Sequence, residues 1–176
     1  TGCLSQASYF IESNGEAAVI DPLREVDIYL KKAENRNSKI KYVFQTHFHA
    51  DFVSGHLSIS EKTNAPIVYG PNADPKYDCI ISDDNEIFVL GDLKIKLIHT
   101  PGHTLESSSY LLFDDKNNSL PFFYINDSDP LNSKPFFLAS SYILECKLVS
   151  TSVVHVDVLW SANQHCKVSL IAAGIL

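Results

Sequence analysis

The sequence predicts an α/β domain, and three observations carry that prediction. Short apolar runs of strand character alternate with two stretches of helical spacing. Turn dipeptides separate those runs. Three strands empty into loops that carry metal-competent side chains, and loops at one edge of a rigid sheet are where sites are commonly built. At 176 residues the chain suits one domain with a substantial core.

The elements follow in order. Ala7 to Ser13 and Ala17 to Ile20 flank Asn14-Gly15, a hairpin dipeptide because both of its residues tolerate positive φ. Asp21-Pro22 ends the second strand. Val26, Tyr29, Leu30 and Ala33 recur at helical spacing with charged residues between them. Ile40, Tyr42 and Phe44 alternate with Lys41 and Gln45, so a strand runs directly into His47. A second helix is expected after Ser54-Gly55, ending near Thr63-Asn64, and Pro66 to Tyr69 reads as a strand. Glu86 to Leu90 and Leu93 to Ile98 bracket Gly91-Asp92 as a hairpin whose second strand leads to His99-Thr100-Pro101-Gly102-His103. Ser109 to Phe113 and Leu120 to Ile125 pair across a polar turn and lead to Asn126-Asp127. Beyond that point charge thins out. Runs such as Val153 to Trp160 look β-like, but nothing in them names a partner.

Composition narrows the function classes. A formal charge of −7 argues against a nucleic-acid surface, which needs clustered lysine and arginine. No apolar run approaches the ~18–20 residues that span a bilayer, so no membrane role is expected. Cys3, Cys79, Cys146 and Cys166 lack C-x-x-C spacing, which speaks against a cysteine zinc site or a disulfide framework and for a reducing compartment. No basic-then-apolar leader is visible, and the lack of any methionine reads as a fragment or a processed chain.

The chemistry concentrates in Gln45-Thr46-His47-Phe48-His49-Ala50-Asp51-Phe52, where two histidines and an aspartate fall within five positions. Imidazole nitrogen and carboxylate oxygen suit zinc, iron or manganese. His103 can join His47 only through the fold, and Pro101-Gly102 before it favours a tight turn. Asp127 offers a carboxylate at the end of a later strand. Two histidines and one carboxylate make the facial triad that holds non-haem iron(II) with positions left open. His47, His103 and Asp127 are therefore the candidate ligands, with His49 and Asp51 as groups that orient them. His56, His99, His155 and His165 stand singly and read as ordinary core or surface residues.

Thr46-His47-Phe48-His49-Ala50-Asp51 and His99-Thr100-Pro101-Gly102-His103-Thr104 together resemble the metallo-β-lactamase superfamily. The stretches Gly15 to Arg24, His49 to Gly55 and Leu105 to Tyr110 are similar to its persulfide dioxygenase branch, the family of the ethylmalonic encephalopathy protein. The resemblance covers about positions 2–127 of a single domain spanning 1–176. It implies an αββα sandwich of two mixed sheets between helices, with the metal at one edge and residues 128–176 truncated or aberrant. Dinuclear zinc hydrolases of the superfamily, such as glyoxalase II, read H-x-H-x-D-H, and here the last position is Phe52, which cannot bind a metal. The branch implies one Fe(2+) held by His47, His103 and Asp127, oxidising glutathione persulfide or a similar small persulfide with O2 to sulfite and thiol. A Zn(2+) thioester hydrolase of the glyoxalase II kind is the alternative, and an inactive relative or fragment a third. Around Asp127 the branch pattern T-G-D-T-L-F is replaced by Ile125-Asn126-Asp127-Ser128-Asp129-Pro130, and no G-R-P-D follows. The expected setting is bacterial cytoplasm, or else the mitochondrial matrix, with a homodimer as the assembly to test.

Overall fold

The structure is a computed structural model that describes residues 7–114, 119–125 and 154–160. Two sheets organise it. The first has six strands in the order β10-β1-β2-β3-β4-β5, formed by β1 (Ala7–Ser13), β2 (Glu16–Ile20), β3 (Lys39–Phe44), β4 (Ile67–Tyr69), β5 (Ile80–Ile81) and β10 (Val154–Trp160). The second is antiparallel in the order β6-β7-β8-β9, formed by β6 (Ile87–Leu90), β7 (Leu93–His99), β8 (Ser108–Asp114) and β9 (Ser119–Ile125). Helix α1 (Asp27–Asn35) joins β2 to β3, and α2 (His56–Thr63) joins β3 to β4. Both links are crossovers between parallel neighbours, which need a helix-length connection.

The Asn14-Gly15 turn forms as its sequence requires, with φ of 47° and 77° closing β1 onto β2 from Ser13 to Glu16. Gly91, at φ 56°, turns β6 into β7 against the first hairpin. A Cβ there would lie 2.1 Å from the Ser13 carbonyl oxygen, so only glycine fits.

β1, β2 and β4 are largely buried on both faces, so apolar residues in them run on rather than alternating strictly with polar ones. One face, carrying Ile11, Ala18, Ile20, Phe44 and Val68, packs on Phe88, Leu90, Ile95, Leu97 and Tyr110 of the second sheet. The opposite face, with Phe10, Ala17, Val19, Val43 and Ile67, packs on Val26, Tyr29, Ala33 and Ile59 of the helical layer. The described residues thus supply helix, sheet and sheet. The second helical layer expected for an αββα sandwich lies outside them.

Two expectations need refinement. Ile40 does not share a face with Tyr42 and Phe44, because the register from Ala17↔Ile40 to Ala18↔Tyr42 skips Lys41. That extra residue is a β-bulge, and it sends Ile40 to the helical side while Tyr42 and Phe44 face the second sheet. The β-like run near Val153 is β10, and it finds its partner at the start of the chain, with Ala7 opposite Trp160 and Ser13 opposite Val154. Among the described residues no helix is long and apolar enough to cross a membrane.

Candidate metal centre

The site forms where the first sheet meets the second. β3 ends at Phe44, and the chain continues through Gln45 and Thr46 into His47 before α2 begins at His56. β7 ends at His99, and a loop through His103 returns to β8 at Ser108. The two loops are stitched together: the Ser108 amide donates to the Thr46 carbonyl at 2.8 Å, and the Tyr110 hydroxyl to the Gln45 carbonyl at 2.7 Å. This brings together residues that lie far apart in the chain. The His47 and His103 rings stand 4.9 Å apart, edge to face, and the His49 ring lies 4.2 Å from that of His47.

His47 is 3 % exposed, and its tautomer follows from its neighbours. The Thr46 hydroxyl donates its one proton to Asp21 Oδ2 at 2.8 Å, so at its 3.0 Å contact with His47 Nδ1 it can only accept. Nδ1 therefore carries the proton, and Nε2 keeps the lone pair that a metal requires. Asp21 also accepts the Thr46 amide at 2.8 Å. Its Oδ1 lies 3.0 Å from His49 Nε2, a close contact between two buried side chains that lacks the geometry of a straight hydrogen bond. Asp21 holds φ at +47°, a left-handed conformation that aspartate tolerates better than most residues. The carboxylate beside His49 is thus Asp21, while Asp51 is exposed on the histidine loop.

Glu106 is a second buried carboxylate at the site, 8 % exposed, and its Oε1 accepts the Phe48 amide at 3.0 Å. Burial opposes its ionisation, but the Phe48 amide, its own amide, Thr104 and the nearby His47 more than offset that and hold its carboxyl below the usual range. His103 is exposed at the mouth. Phe52 lays its ring 4.3 Å from that of His49.

The donor chemistry fits a metal. The structure brings the His47 and His103 rings together, with the Nδ1 side of His47 turned to Thr46. Among the described residues, no three His, Cys, Asp or Glu side chains converge in an ion-holding group. Asp127, the expected third ligand, lies outside the described residues. Asp21, Thr46 and Glu106 are site residues that the sequence reading did not single out. Asp21 was visible only as a strand end and Glu106 only as part of a loop, since each acts on a histidine segment 25 to 58 positions away.

His56 opens α2 and accepts or donates at 2.9 Å to the Tyr77 hydroxyl, consistent with an ordinary core histidine. Burial, with His49 nearby and partly opposed by Asp21, pushes its pKa down from 6.5 to about 4. The folded chain therefore binds this proton less readily than the unfolded chain does. The stability that His56 contributes is complete above about pH 6.5 and is lost on acidification through about pH 4. Urea midpoints at pH 7 and pH 5 should differ more in the wild type than in His56→Gln.

Comparison with known proteins fits this geometry. Residues 1–78 match the metallo-beta-lactamase superfamily. The cytoplasmic hydroxyacylglutathione hydrolase of Arabidopsis thaliana is 35% identical over 125 residues, covering 69% of this chain and 48% of that protein. The crystal structure of a metallo-beta-lactamase from Staphylococcus aureus is 35% identical at a TM-score of 0.62, covering 69% of this chain and 39% of that one. ETHE1 from Myxococcus xanthus is 28% identical at a TM-score of 0.55, covering 62% and 54%. The chain spans about half the length of the curated relatives it matches. With the paired sheets and the histidine loops at their shared edge, these likenesses establish that the chain carries a metallo-β-lactamase superfamily domain.

Proposed function

We propose that this domain is the metal-binding part of a mononuclear iron persulfide dioxygenase acting on glutathione persulfide or a similar small persulfide. One observation carries the reading: Phe52 packs its ring on His49 at the position where dinuclear relatives place a further histidine. A side chain without a donor atom leaves a second ion one ligand short. The likeness to ETHE1, a persulfide dioxygenase, supports the same branch.

The residues divide the work as follows. His47 presents Nε2, fixed by Thr46 and Asp21. His103 approaches from the opposite loop, and Asp127 would supply the third donor. A bound ferrous ion would supply open coordination positions, which turn an encounter of two reactants into a positioned one. The net reaction is RSSH + O2 + H2O → RSH + sulfite + 2 H+. The outer sulfur is oxidised, O2 is reduced, and the S–S bond breaks to release the thiol. Val53 and Leu105 are exposed apolar side chains on the two histidine loops.

A zinc thioester hydrolase is the second reading, favoured by the relatives named hydroxyacylglutathione hydrolase. In it a metal-lowered water would be the nucleophile. Elemental analysis and two assays separate the readings. About one iron per chain with persulfide-dependent oxygen uptake is the expected result. Near two zincs with thioester hydrolysis would replace it with the hydrolase. Bound metal with neither activity would assign the chain as an inactive relative.

A further inference from the structure

We infer that Glu106 is a positioning residue that registers the two histidine loops against each other and so sets the metal affinity of the site. The inference rests on His47 and His103 being ligands. His47 belongs to a loop of the first sheet and His103 to a loop of the second, so their meeting depends on what crosses between the loops.

One crossing contact, Ser108 amide to Thr46 carbonyl, is backbone alone and survives any side-chain change. Another, at the Phe48 amide, depends on a single carboxylate. The Phe48 N–H belongs to the peptide bond that joins His47 to Phe48, so whatever holds it anchors the backbone from which His47 and His49 project. Glu106 holds it from three residues beyond His103. Among the described residues its contacts include no lysine or arginine, and a carboxylate removed from water is stable only where hydrogen-bond donors face it.

Its own loop is held in turn. The Ser108 hydroxyl donates to the Glu106 carbonyl at 3.0 Å, and Gly102 and Thr100 donate to Thr104 and Ser107 at 3.1 and 2.8 Å. The end of β4 closes over this loop so tightly that a Cβ on Gly70 would lie 1.8 Å from Ser108 Oγ. The Phe48 ring packs on Tyr69, the last residue of β4, at 4.8 Å. Phe48 is thereby held by its ring to the first sheet and by its amide to the second sheet's loop. Glu106 is the link between them.

The test uses the whole chain, metal-free, with two variants. Glu106→Ala removes the acceptor, whereas Glu106→Gln keeps an oxygen for the Phe48 amide and removes only the charge. Backbone hydrogen exchange at Phe48 is read in the apo protein, and Zn(II) affinity by competition with a chromophoric chelator. Glu106→Ala should lose the slow exchange of Phe48 and weaken Zn(II) binding by about tenfold to a hundredfold. Glu106→Gln should restore the protection and much of the affinity at a similar thermal midpoint. Unchanged protection and affinity in Glu106→Ala would overturn the inference. So would a fall in both that Glu106→Gln fails to rescue, since the residue would then serve the fold alone. If His47→Ala binds Zn(II) as the wild type does, the ligand reading itself falls instead.

Discussion

Asp21→Ala should destabilise the folded chain by about 3–5 kcal/mol, seen as a marked fall in the urea midpoint with an unchanged slope. Asp21 is 4% exposed and serves three groups at once: the Thr46 amide, the Thr46 hydroxyl and the His49 imidazole. Removing it leaves donors of a 2% exposed threonine without an acceptor, and each such buried group costs about 1–3 kcal/mol. The costs overlap because the groups share one carboxylate, so the total stays below their sum. Against a total stability of about 5–15 kcal/mol, that loss is large. Asp21→Asn keeps one acceptor oxygen and tolerates φ of +47°, so about half the loss is expected. An alanine variant with the wild-type midpoint would remove Asp21 from its place at the centre of the network.

Loss of metal separates the histidines. His47→Ala and His103→Ala should each take the purified protein from about one bound metal to almost none, because a mixed three-ligand set that loses one donor holds its ion poorly. His49→Ala should still bind, about tenfold to a hundredfold more weakly, since His49 is committed to Asp21 and acts by orienting its neighbour. The measurement is metal content after dialysis, with circular dichroism to show that each variant folds. Equal loss in all three would make His49 a ligand. Retention in His103→Ala would remove the second sheet's loop from the site.

Much of this was legible in the sequence because it is written locally. Asn14-Gly15 can hardly do anything but turn, and Leu93, Ile95 and Leu97 alternate with lysines as a strand with one buried face must. The His47–His49 cluster and His103 declared themselves by residue type, and their meeting follows from two strands that end at the same edge. What stayed hidden depends on distant partners. No local pattern marks the bulge at Lys41, which exists because β2 and β3 keep different registers at their two ends. The two-residue β5 is too short to show a period. Asp51, next to the cluster, looked like the orienting carboxylate. Asp21 makes the contact to His49 instead because β2 ends beside β3.

The pairing of β1 with β10 has a consequence for how the molecule is made. During synthesis β1 emerges long before the segment that will flank it, and seven residues of backbone wait with one side open. Such a ribbon readily recruits any extended segment it meets, including the same ribbon on another nascent copy. Shortened versions that stop before Val154 should therefore yield soluble material poorly even though both histidine loops are present. Chains that include β10 should fold slowly, since its pairing with β1 joins stretches far apart in the sequence.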